Sequence, residues 1–307
     1  MKEEKGWAEG ELGKAKLGDK RLERRLVAMA EQRMSQPNGS LAESTGGGAS
    51  LKAAYRFYDN EEIKPGAILA SHAEATQERM RGCPVVLALQ DTTQVDYSKH
   101  KATTGLGVLK DQNHHGLMVH STMAVTPQRE SLGLLAQEVW ARPAEEFGKS
   151  AARRKRATDE KESQKWLTSL KAAAECQAQL PDTQVISVGD READIYELFT
   201  TARELKVNVL VRAAQDRCIA DESEQHLWAH VLAQEVAGTL SVEIPRQPGQ
   251  PTRPAGLAVR FATLKLCVPQ RKKKAFDVHR VEVSVVHVIE QCPPPATPDC
   301  DIIVRHH

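Results

Sequence analysis

Aromatic side chains are scarce, at 4% of 307 residues, so a core must be built mainly from Leu, Val, Ile and Ala. No apolar run approaches the ~18–20 residues of a bilayer span, which excludes the integral-membrane class. The chain opens with charge where an export signal would be apolar, which predicts that it is not exported. Cysteine is sparse. Cys83, Cys176, Cys218, Cys267, Cys292 and Cys300 include no pair at the spacing of a zinc or redox motif, and are expected to be reduced and structural. An excess of charge of either sign is also lacking. With 42 basic against 41 acidic side chains, the chain cannot bind nucleic acid as a bulk polycation, and any such binding must come from local clusters. No internal repeat is visible.

What is present suffices for about two domains at about 100–200 residues each. The first 80 residues read as helical. Leu22, Leu26, Met29 and Ala30 share a helical face behind Asp19, a suitable N-cap, and Lys20, Arg21, Arg24 and Arg25 fall on the solvent side. The linker Ser44-Thr-Gly-Gly-Gly-Ala-Ser50 is a breaker, and Ser50 is expected to cap a helix through Leu51, Ala54, Tyr55 and Phe57. A third helix is expected from Pro65 to about Arg81.

The texture then changes. Val85 to Asp91 is an apolar run that ends in an acid, and Gly116–Val125 and Leu132–Trp140 read as two further strands. A helix is expected from about Asp159 to Gln179, then a strand ending at Asp190, a helix through Ile195, Leu198 and Phe199, and a strand from Val207 to Arg212. This order predicts an α/β fold with a mixed sheet: an antiparallel meander first, helical crossovers later. From about 214 to 290 the pattern becomes all-β, with strands at Thr239–Ile244, Ala258–Val268 and Arg280–Val288, and a short last strand at Ile302–Val304.

Asp91 and Asp190 stand 99 residues apart, each at the end of an apolar strand. If those strands are parallel neighbours, both carboxylates emerge at the carboxyl edge where open α/β sheets place ligands. Mg²⁺, or Mn²⁺ in its place, suits such an all-oxygen site and can serve phosphoryl transfer. The plainer alternative makes Asp91 a turn cap and Asp190 a helix N-cap.

The basic clusters also carry two readings. Lys20, Arg21, Arg24 and Arg25 either neutralise phosphates or form a solvated helix face. Tyr55 and Arg56 either reach DNA or, for Tyr55, belong to the core. Lys149–Arg156 and Arg271–Lys274 are backbone-binding loops or solvated turns; Arg191 and Arg212 are placed to touch a phosphate. His114, His115 and His120 lack zinc-ligand spacing, which leaves His120 as a DNA contact or a satisfied strand residue.

The string Trp7-Ala-Glu-Gly-Glu-Leu-Gly-Lys-Ala-Lys-Leu-Gly-Asp-Lys-Arg21 is followed in order by Ala54-Tyr-Arg-Phe-Tyr58, Asp91-Thr-Thr93, His120-Ser121, Glu138-Val-Trp-Ala-Arg-Pro143, Asp159–Trp166 and Asp190-Arg-Glu-Ala-Asp194. Together they resemble bacterial cut-and-paste transposases of the DDE class, close to the transposon-five type, over roughly residues 6 to 295. The resemblance implies a helical DNA-binding module at 1–80, a ribonuclease-H-like catalytic core at 81–213, and a β-rich insertion with the end of the core at 214–307. It implies double-stranded DNA at transposon ends and target DNA as partners, a homodimer on DNA, and a cytoplasmic, nucleoid-associated location. Asp91 and Asp190 become the first two of three metal-binding carboxylates.

The family's third carboxylate, a Glu in a Tyr-x-x-Arg-x-x-x-Glu pattern, has no counterpart in 290–307, nor has its dimerising helical tail. Its Trp used against a flipped base is also unmatched; the comparable stretch is Thr297-Pro-Asp-Cys-Asp301. Glu290 lies in a β-patterned stretch rather than on the required helix. The chain is thus expected to be a transposase cut short, by frameshift or early stop, that binds DNA and cleaves it weakly or not at all. The alternative is a non-catalytic DNA-binding regulator that blocks element ends.

Overall fold

The computed structural model describes residues 6–143, 163–220, 226–245, 251–270, 273, 276, 280–291 and 301–306. The Lys149–Arg156 cluster, the start of the helix expected from Asp159, Arg271, Lys272, Lys274, Cys292, Cys300 and 297–299 lie outside these residues.

Five helices lead the chain: α1 (Trp7–Leu12), α2 (Lys20–Ser35), α3 (Leu41–Thr45), α4 (Gly48–Tyr58) and α5 (Pro65–Met80). The Asp19 carboxylate accepts from the Arg21 amide at 2.7 Å and starts α2 as expected. A reciprocal Ser40–Glu43 capping box starts α3. Ser50 is not a cap: α4 begins at Gly48, and Ser50 lies inside it, within 3.2 Å of Gln32 Nε2. The cause is the glycine run. Gly46, Gly47 and Gly48 have φ of 68, 76 and 58°, so the reversal is finished before Ser50 is reached. Leu26, Met29, Ala54 and Phe57 pack with Ala15 and Leu17 into a core of their own.

Among the described residues ten strands form one sheet: β1 (Val85–Asp96), β2 (Gly107–Val108), β3 (His115–Val125), β4 (Ser131–Trp140), β5 (Gln184–Gly189), β6 (Asn208–Arg212), β7 (Gly238–Ile244), β8 (Arg253–Cys267), β9 (Arg280–Glu290) and β10 (Asp301–His306). The order is β2-β3-β1-β5-β6-β10-β9-β8-β7, with β4 also on β3. β4, β3 and β1 form the expected antiparallel meander, and β1, β5 and β6 run parallel. β10 pairs with both β6 and β9, so the strands after residue 214 continue the same sheet.

Three points differ from the expectation. β1 does not stop at Asp91 but continues to Asp96, because β3 pairs with it as far as Asp96↔Gly116. β8 starts at Arg253, ahead of the Ala258 start expected from the sequence. A short helix, α8 (Leu227–Leu232), interrupts the all-β part.

Helices α6 (Gln164–Gln179), α7 (Tyr196–Leu205) and α8 cover one face of the sheet. Val86, Ala88, Val185, Val209, Val211, Val283 and Val285 are buried on that face. The opposite face exposes Leu89, Met123, Val139 and Phe261. Cys83, Cys176, Cys218 and Cys267 are free thiols. Among the described residues no helix is long and apolar enough to cross a membrane.

Candidate functional site

The parallel ladder between β1 and β5 ends at Leu89↔Val188, and that between β5 and β6 at Gly189↔Val211. Extending both registers sets Asp91, Asp190 and Arg212 side by side on three adjacent strands, just past the carboxyl end of the parallel pairing. Strand side chains alternate, and Val86, Ala88 and Gln90 are buried on the helix-covered face. Leu89 and Asp91 therefore point to the opposite, open face, where both Asp91 and Asp190 are exposed. The parallel neighbours expected from the two acid-terminated runs are present.

Of the two simpler roles only the Asp190 cap is present, because Asp91 and the residues after it lie inside strand β1 rather than in a turn. The Thr92 amide donates to Asp91 Oδ1 at 2.7 Å, and the Glu192 amide donates to Asp190 Oδ1 at 2.9 Å. Asp190 thereby caps the 3₁₀ turn Arg191–Ala193. These bonds do not exhaust either group. The second oxygen of each carboxylate accepts no hydrogen bond among the described residues. Two hard, negatively charged oxygens at one sheet edge fit a Mg²⁺ or Mn²⁺ ion that keeps several waters. Among the described residues no group of three or more His, Cys, Asp or Glu side chains is placed to hold a metal. Glu290 is committed elsewhere: both its oxygens face the Arg253 guanidinium, one at 2.9 Å.

The loop that carries Asp190 is anchored from below. Asp194 is buried, and its Oδ1 accepts from Arg217 Nε at 2.9 Å and from a terminal guanidinium nitrogen at 2.6 Å. Its Oδ2 accepts from the Ala214 and Gln215 amides at 2.8 and 2.9 Å. The turn after β5 is thus bolted to the turn after β6. Lys165, on α6, is buried and reaches Glu192 Oε2 at 3.3 Å while lying over the Trp166 ring. Sequence reasoning misses Arg217 and Lys165. Their one local signal is a lysine set among the buried positions of an amphipathic helix, beside Trp166 and Leu167.

His120 is a correction. It is wholly buried, accepts or donates at Nδ1 with Thr92 Oγ1 at 2.9 Å, and packs edge-on to Trp166 at 4.8 Å. A side chain enclosed between sheet and α6 does not reach DNA; it is a buried strand residue, bonded at Nδ1 and without a hydrogen-bond partner at Nε2 among the described residues. Burial lowers its pKa to about 4, with repulsion from Lys165 adding to the effect and attraction from Asp91 and Asp190 opposing it. His114 is bonded to Asp111 at 2.7 Å.

Lys20, Arg21 and Arg24 are exposed on α2 and Arg25 is half-buried, and none has an ion-pair partner among the described residues. Tyr55, 54% exposed, is a surface residue of α4, as is Arg56. Arg191 and Arg212 are exposed but each already engages a neighbour. The structure therefore holds two separate groups: free cations on the N-terminal helices, and the acid pair at the sheet edge.

Residues 4–63 match the family described as transposase DNA-binding. The match spans α1 to α4 and includes Lys20, Arg21, Arg24, Arg25, Tyr55 and Arg56. It supports a DNA-binding transposase.

Proposed function

We propose that this protein is a transposase of the DDE type, with Asp91 and Asp190 as two of its metal-holding carboxylates and the N-terminal helices as its grip on duplex DNA. The observation that carries the reading is the shared register of the two acids across the parallel strands β1 and β5. The order β4-β3-β1-β5-β6, antiparallel then parallel, supports a ribonuclease-H-like core. Lys20, Arg21, Arg24 and Arg25 bind phosphates and fix the element's end, while Arg191 and Arg212 flank the acids and orient the scissile phosphate. Asp91 and Asp190 would hold Mg²⁺, which supplies Lewis acidity toward a phosphodiester when bound. The Asp194–Arg217 pair keeps the Asp190 turn in place.

Two carboxylates are a thin ligand set for the two metals of an in-line displacement. We therefore expect cleavage to be weak or absent in the chain as it stands. The same two-acid set, beside a DNA-binding family match, favours a second reading: a non-catalytic protein that occupies element ends and blocks an intact transposase.

Gel shifts with terminal-repeat duplexes, paired with nicking of supercoiled plasmid in Mn²⁺, test both. Expected are salt-sensitive duplex binding, and at most faint nicking that Asp91→Ala removes. Nicking unchanged in both Asp91→Ala and Asp190→Ala would overturn the assignment of the acids, and loss of all duplex binding would overturn the DNA reading.

A further inference from the structure

A second concentration of free positive charge lies away from both groups described above. A surface groove of about 490 Å³ is lined by Arg203, Thr263, Lys265, Arg280, Glu282 and Ser284. Arg203 comes from the last turn of α7; the others come from the β8–β9 ladder, in which Thr263 faces Ser284 and Lys265 faces Glu282. The groove has a backbone cause. β10 pairs with β9 only over Ser284–Val288, so Arg280–Val283 has one open side among the described residues.

Arg203, Lys265, Arg280 and Glu282 are all exposed, and none has an ion-pair partner among the described residues. Arg253 on the same ribbon is ion-paired with Glu290, so unpaired charge is not general to this surface. Three cations against one acid favour an anion. The two arginines bring planar forks suited to phosphate oxygens, and Thr263 and Ser284 add hydroxyl donors. Three cations and two hydroxyls along an open groove suit a chain of phosphates better than one enclosed ion. By ladder register, Thr263, Lys265, Glu282 and Ser284 belong to the sheet face that carries Asp91 and Asp190. The segment between Cys267 and Arg280 continues the charge in sequence with Arg271, Lys272, Lys273 and Lys274.

We propose that Arg203, Lys265 and Arg280 form a phosphate-binding groove that takes a nucleic-acid backbone, a contact separate from the N-terminal helices. The proposal rests on the reading of the chain as a DNA-binding transposase and adds a second place where that DNA is held. Glu282 limits its affinity.

The test is duplex binding by the full chain, followed by fluorescence anisotropy across a salt series. Replacing Arg203, Lys265 and Arg280 together by Ala is expected to reduce the magnitude of the log–log salt slope by about 2–3, near 0.9 per lost phosphate contact. Glu282→Gln is expected to tighten binding about 2- to 5-fold, a gain that damage to the fold does not produce. An unchanged slope in the groove variant, while the Arg21, Arg24 and Arg25 triple variant shifts it, overturns this inference and leaves the DNA reading standing. Absence of duplex binding by the unaltered chain overturns both. Calorimetry with inorganic pyrophosphate separates the phosphate sources: binding lost in the groove variant with the duplex slope unchanged makes this a small-anion site and overturns the backbone assignment.

Discussion

His72 accepts a hydrogen bond from the Leu134 amide at Nε2 (3.0 Å), so its proton sits on Nδ1 and is donated to Glu11 Oε2 at 2.7 Å. One tautomer serves both contacts. Arg79 completes the junction, bonding the Glu11 carboxylate with its guanidinium tip and the Leu132 carbonyl through Nε at 2.6 Å. Gly133 lets these groups approach: at φ 128°, an added Cβ would stand 2.3 Å from Thr76 Oγ1. Helix α1 is thereby tied through α5 to β4, and the DNA-binding helices are joined to the sheet.

Glu11→Ala is expected to lower stability by about 1–3 kcal/mol, read from chemical denaturation, because Arg79 and His72 lose a shared partner. Burial works against the Glu11 charge, yet the bond and charge of Arg79, and then the bond from His72, hold its carboxyl below the usual range. A depressed carboxyl contributes stability above its unfolded value and loses it as pH falls through the folded one. The deficit of Glu11→Ala relative to the parent should therefore shrink in acid; a deficit constant with pH counts against this junction.

Asp194→Asn keeps the side-chain shape but leaves the buried Arg217 charge uncompensated. The expected cost is about 3–5 kcal/mol in denaturant unfolding. Adding Arg217→Met to Asp194→Leu should restore part of the loss, since it removes the stranded charge. If the double variant is as unstable as the sum of both singles, the pair is not the anchor of the two turns.

Much of this architecture is legible in the residues themselves. Val85 to Leu89 and Val185 to Val188 are apolar because parallel strands are buried on at least one face, and the acids that end them mark the ladder's end. The α2 spacing and its Asp19 cap are equally local signals. Other features have no local signal. Asp91–Asp96 is polar yet stays in a strand, because its order comes from pairing with β3 rather than from burial. Glu11 and Arg79 are 68 residues apart, and Asp194 and Arg217 are 23 apart, so their pairing depends on tertiary placement. His120 stays open in the sequence between a DNA contact and a strand residue, because a histidine in an alternating strand shows its face only once its neighbour, Trp166, is placed. The acid pair was legible; its supports were not.

Acid should act on His120. Its folded pKa is about 4 against about 6.5 when unfolded. The unfolded chain therefore takes up a proton that the folded chain refuses as pH drops from about 6.5 towards 4, and stability falls over that window by roughly 3 kcal/mol. Lys165, Asp91 and Asp190 are the charges that act on the ring, so His120→Gln should flatten this part of the pH–stability curve. Superimposable curves for parent and variant between pH 4 and 6.5 would contradict it.

The central claim is that Asp91 and Asp190 grip one divalent cation together. Titration of the full chain with Mn²⁺, followed by electron paramagnetic resonance, measures this without reliance on cleavage. We expect one bound ion per chain, with affinity falling about tenfold or more in either Asp91→Asn or Asp190→Asn, at least the loss that follows removal of a ligand's outer partner. Unchanged affinity and stoichiometry in both variants would contradict the account.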